Sequence, residues 1–91
     1  MLRKKHPTSV SGYKDNKELG KDIAKMRYDK MVEVLIGIAE DIKRQQETDR
    51  ERGRMKLSNS LNEFHEKLID AIESGQKVWE ICKPFMKDEE R

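Results

Sequence analysis

The sequence predicts an all-α fold: a long helical hairpin, with the option of a short third helix after Gly75, packing as a dimeric four-helix bundle. Three observations predict it. Apolar residues recur at helical spacing in two segments, 19–42 and 57–86, which hold 26 of the 31 apolar residues in the 91-residue chain. Proline enters neither segment before Pro84, and no partner strand exists that would let a short apolar run such as 31–36 form a sheet. Charged residues make up 42% of the chain and apolar ones 34%, against roughly 25% and 45–50% in ordinary soluble domains. That is too little apolar material to enclose a deep catalytic cleft in one small domain.

Residues 1–15 contain Pro7, Gly12 and few apolar side chains, so they bury too little to offset the entropy of ordering and read as a flexible basic tail. Charge is uneven along the chain. Residues 1–27 carry eight Lys or Arg against three acids, net +5, while residues 28–91 carry twelve against fifteen, net −3.

The remainder, 16–91, is expected to form the hairpin domain. A first helix is expected over about 16–50, capped by Asp15 or Asn16. Leu19, Ile23, Met26, Met31, Val34, Leu35, Ile38 and Ile42 supply its apolar side. Segment 31–42 is apolar over more than half its circumference, wider than the stripe of about 100° that one neighbour requires. Residues 43–54 carry no apolar side chain and are expected to pack in no core. Gly53 suits the left-handed residue that ends a helix.

The second helix is expected over about 58–83. Leu57, Leu61, Phe64, Leu68, Ala71, Gly75, Val78, Cys82 and Phe85 follow an unbroken 4-3-4-3 spacing, the seam of helices packed at a shallow angle. A parallel line through His65, Ile69, Ile72, Gln76, Trp79, Lys83 and Met86 widens that seam. Ser60 with Glu63 fits a capping box, and Ser58 competes with it. Gly75 either ends this helix or sits inside it where a partner approaches closely. Pro84 lacks the amide for a bond back to Glu80, so a kinked end is expected there.

A lone hairpin has one seam between its helices. On this reading it leaves Val32, Ile36 and Ala39 wet on one helix and Ile69, Ile72 and Trp79 on the other. A two-fold dimer buries such stripes against their own copies. The partners expected are therefore a second copy of the chain and another protein.

No phosphate-binding glycine loop, zinc-protease motif, Cys pair or nucleophile elbow occurs. His65 is the one histidine outside the tail, and the position three before it is Asn62, not the glutamate of a di-metal helix. Cys82 lies on the seam, where a thiol behaves as a small hydrophobe, and a lone cysteine favours an intracellular, cytoplasmic setting. The expectation is a non-enzymatic interaction or regulatory module without cofactor, metal, small-molecule substrate or membrane span. Its partner-binding residues are expected to be Trp79, Phe85, Met86, Val32 and Ile36. The alternative is a nucleic-acid-associated regulator that uses Arg3, Lys4 and Lys5 of the tail with Arg50, Arg52, Arg54 and Lys56 of the bend.

Overall fold

The computed structural model describes residues 6–86 and is helical throughout its ordered elements: α1 (Asn16–Ala24), α2 (Tyr28–Glu51) and α3 (Met55–Cys82), closed by a 3-10 turn at Lys83–Phe85. Helices α2 and α3 form an antiparallel hairpin about 36 and 42 Å long at 1.5 Å per residue. The short α1 touches α2 and not α3. Asp15 starts α1 as expected, its carboxylate accepting from the amide of Lys17 at 2.8 Å.

The single helix expected over 16–50 is in fact two helices. Arg27 is extended (φ −55°, ψ 142°), which breaks the ladder between Ala24 and Tyr28. Its guanidinium is held by both oxygens of Asp29, at 2.6 and 2.9 Å, and lies 5.3 Å from the centre of the Trp79 ring. Tertiary contacts thus select a conformation that local helix propensity alone would not. The sequence carries a trace of the break, because the step from Met26 to Met31 is five residues and shifts the apolar row to another face.

At the other end of α2 the bend is a Schellman turn. Gly53 takes φ +79°, its amide donates to the Arg50 carbonyl at 3.0 Å, and the Arg54 amide donates to the Asp49 carbonyl at 2.8 Å. So tight a turn lets α3 begin at Met55, three residues before the expected start, with the Ser58 amide donating to the Arg54 carbonyl. The Ser60–Glu63 box therefore lies inside the helix and does not begin it.

Facing positions in the hairpin repeat with 4-3 spacing on both helices. Along α2 they are Tyr28, Val32, Leu35, Ala39, Ile42, Gln46 and Asp49; along α3, Ser58, Leu61, His65, Leu68, Ile72, Gly75, Trp79 and Cys82. The centre of the core is Val32, Ala39 and Ile72, each 7% exposed or less, with Leu35, Ile36 and Leu68 packed against it. Two expectations are corrected here. The sequence reading puts Val32, Ala39 and Ile72 on the wet outer stripes, yet they are the apolar residues the hairpin buries most completely. The reason is rotational: α3 turns the Ile72–Trp79 line toward α2, which rolls Phe64, Ala71 and Val78 outward.

The second correction concerns the polar connection. Gln46 is buried, with its Nε2 donating to the Ser58 Oγ at 3.1 Å while that hydroxyl donates to the Gln46 carbonyl at 3.1 Å. Ser58, 1% exposed, is thus a buried cross-link and not a helix cap. Among the described residues the Gln46 Oε1 has no hydrogen-bond partner.

Gly75 does not divide α3, which is continuous to Cys82. A Cβ built there would lie 2.9 Å from the Cγ2 of Val32. Val32 is buried and stiff at χ1, so it has nowhere to move. Gly75→Ala is therefore expected to destabilise the protein by about 1–3 kcal/mol in chemical denaturation, overpacking outweighing the gain in helix propensity. Gly37→Ala, with nothing within 4 Å of the added carbon, is expected to stabilise by about 1 kcal/mol. Equal stabilisation by both substitutions would disprove the close approach.

Candidate interaction surfaces

The hairpin has two unlike flanks. On one, a cleft of about 660 Å³ opens near the start of α2 and the end of α3. Val32, Ile36 and Trp79 supply its apolar lining, and Asp29, Glu33, Glu73 and Glu80 surround it with Lys77. Three of the five residues expected to bind a partner therefore meet at one place. Of these Val32 is a wall of the core and offers little surface, while Ile36 and Trp79 are half-buried. Phe85 and Met86 do not join them: Phe85 projects from the 3-10 turn, 81% exposed, and Met86 follows it half-buried.

Trp79 is fixed by the Arg27–Asp29 pair. The bidentate geometry orients the guanidinium over the ring, combining a charge-assisted hydrogen bond with a cation–π contact. Hydrogen bonding from Arg27 holds the Asp29 carboxyl below the ordinary carboxylate range, against a smaller opposing effect of burial. The same bond raises the already high pKa of Arg27. The sequence offers little to identify this clasp, because Arg27 and Trp79 are 52 residues apart and meet only through the hairpin. The acidic rim was more accessible, since Glu73 and Glu80 are seven residues apart and so share one side of α3.

On the opposite flank α3 displays Leu57, Phe64, Ala71 and Val78, each seven residues from the next, and Phe85 follows at the same spacing in the 3-10 turn. Leu57, Phe64 and Val78 are between 44% and 49% exposed, and Ile81 beside them is 72% exposed. These are half of the 4-3-4-3 seam read from the sequence. The other half, Leu61, Leu68, Gly75 and Cys82, faces α2. The most regular apolar seam of the chain is thus only partly occupied within one copy.

The bend is the third surface. Arg54 is paired with Asp49 at 3.0 Å, and Arg44 with Asp41 at 2.9 Å. The Asp41 carboxyl is held below its ordinary range by Arg44 first and Gln45 second. Arg50, Arg52 and Lys56 have no ion-pair partner within 4 Å among the described residues. Arg52 and Arg54 share a wide cleft with His6, Pro7, Leu57 and Leu61, while Arg50 lines a smaller one beside Gln46 and Ser58. Arg3, Lys4 and Lys5 lie outside the described residues.

Among the described residues no group of three or more His, Cys, Asp or Glu converges as a metal site, and no helix is long and apolar enough to cross a membrane. His65 and Cys82 are half-buried on the helix seam.

The clasp makes a pH-dependent signal. A carboxylate with a depressed folded pKa contributes stability that is complete above its ordinary value and is lost as pH falls through the folded one. Emission from Trp79, the one tryptophan, is expected to stay constant from pH 8 to 5 and to change only in more acidic solution, below the ordinary carboxyl value of 3.8. Asp29→Asn is expected to produce the acid-state emission already at neutral pH. A transition centred above 5 would contradict the assignment.

The chain matches no protein-family model, no curated protein and no solved structure, so its function is argued from its own residues.

Proposed function

We propose that this protein is a non-enzymatic helical interaction module that self-associates as a homodimer and presents its remaining helical surface to a protein partner. The observation that carries this is the outer row of α3. Apolar residues at two neighbour-facing positions and a third flanking position of the heptad are the pattern of a helix with two neighbours in a bundle. Among the described residues α3 has one such neighbour, α2, because α1 contacts only α2. Phe64, Ala71 and Val78 are left for a helix from elsewhere.

In a four-helix bundle built on this flank, the Trp79 cleft stays open on the other side and is the surface offered to the protein partner.

Nucleic-acid binding at the bend is the weaker reading. An ion pair with Asp49 already engages Arg54, one of the four basic residues there. The two readings also respond differently to salt, since apolar association tolerates it and phosphate contacts weaken steeply with it.

Sedimentation equilibrium at tens of micromolar is expected to give the dimer mass at both 0.05 and 1 M salt. Phe64→Glu is expected to give the monomer mass with unchanged helical circular dichroism, because Phe64 is half exposed and outside the hairpin core. A wild-type chain that is monomeric at these concentrations would refute self-association.

A further inference from the structure

We infer that the joint between α1 and α2 is a two-state hinge, held bent by the Arg27 clasp. With the clasp open, residues 16–51 run on as one straight helix and α1 swings away from the hairpin. The inference concerns a single copy of the chain and stands apart from self-association.

The break has no local cause. Ala24, Lys25, Met26, Arg27 and Tyr28 include neither Gly nor Pro, so none of them is a helix breaker. Helices commonly start at a Ser, Thr, Asp or Asn that caps the first turn. Here the cap position of α2 is Arg27, and its side chain makes no capping bond. Lys25 remains in the helical region (φ −83°, ψ −9°), and the Met26 amide still donates to the Ile23 carbonyl at 3.1 Å. At Arg27 (φ −55°, ψ 142°) the φ is still a helical value, and it is ψ that departs. As the first residues of α2, Tyr28 and Asp29 have amides without an intrahelical acceptor. A continuous helix gives those amides the carbonyls of Ala24 and Lys25.

What holds the bend is tertiary. Asp29 takes both guanidinium bonds of Arg27, and the Trp79 ring lies 5.3 Å from it. Helix α1 contributes little, since it has nine residues and none of them is buried. An isolated helix needs roughly 12–15 residues to persist, whereas an extension of α2 needs no nucleus of its own. The bent form is thus favoured by the clasp and by the half-burial of Leu19 and Ile23, the straight form by unbroken backbone bonding.

In the bent form α1 runs back along α2. The Asn16 Nδ2 donates to the Thr8 carbonyl at 2.9 Å, and the neighbouring Pro7 lines a cleft with Asp41 and Arg44. The start of α1 therefore lies beside the middle of α2. Asp29 also lines the open-end cleft, so a group that takes its carboxylate there competes with Arg27 and favours the straight form. Asp29→Ala imitates that competition by removing the carboxylate.

Spin labels at Lys17→Cys and Glu40→Cys in a Cys82→Ser chain read the hinge. Both positions are exposed, and dilution with an excess of unlabelled chain restricts the reading to pairs within one copy. With the clasp intact the labels are expected within about 20 Å, because helices in contact have axes about 8–10 Å apart. Asp29→Ala and, separately, Arg27→Ala are expected to move most of the population to about 35 Å, the rise from position 17 to 40 in one helix. The amides at positions 28 and 29 are expected to gain protection from hydrogen exchange in the same variants. Adding Arg27→Pro to Asp29→Ala is expected to restore the short distance, since Pro holds φ near the value found there and breaks a helix interior. A distance that stays short with the clasp cut overturns the hinge. So does a broad distribution with loss of protection in α1, which is melting, or a long distance that survives Arg27→Pro.

Discussion

The rotation of α3 about its own axis is the constraint on which the rest of the structure depends. Two contacts set it, one near each end of the hairpin. Beside the bend, the Ser58 hydroxyl and the Gln46 amide and carbonyl exchange hydrogen bonds in a buried pair. Beside the open end, Gly75 admits Val32 so closely that no larger residue fits. A buried polar pair adds little net stability but favours this register, since sliding or rolling either helix would part the hydrogen bonds between Gln46 and Ser58.

Once α3 is set in this way, the remaining surface follows. Ile72 and Trp79 turn inward, Arg27 leaves the helical path to cover the Trp79 ring, and α1 separates from α2 as a consequence. The same rotation turns Phe64 and Val78 into solvent. The two flanks therefore differ in kind. One has an acidic rim around a half-buried tryptophan, and the other is a long apolar row that no helix among the described residues covers. An extended molecule of 51 × 28 × 16 Å with so thin a core is what two helices can make alone, and a second hairpin would complete it.

Much of the fold was legible because it is written in local rules. Asp15 as a cap, Gly53 in a left-handed turn and Pro84 at a helix end each reflect backbone sterics that need no tertiary information. Heptad spacing in the second half was equally plain. What spacing cannot give is the phase of contact when an apolar stripe is wider than one neighbour: the row through Phe64 and the row through Ile72 are both apolar, and the choice between them was made by Ser58 and Gly75. The same limit misplaced Val32 and Ala39 and hid the break at Arg27, whose partners lie across the hairpin. Of the candidate site, Trp79 and Ile36 were legible as contact residues on separate stripes, whereas their meeting at one cleft and the clasp of Arg27 and Asp29 depended on contacts between distant segments.

The central claim is that the outer row of α3 is a contact surface. Hydroxyl-radical footprinting across dilution tests it most directly, reading the oxidation of Phe64 against that of Trp79, which the hairpin half-buries in every state. Phe64 is expected to be protected at high micromolar concentration and to become reactive on dilution while Trp79 does not change. Phe64 equally reactive at every concentration would contradict it.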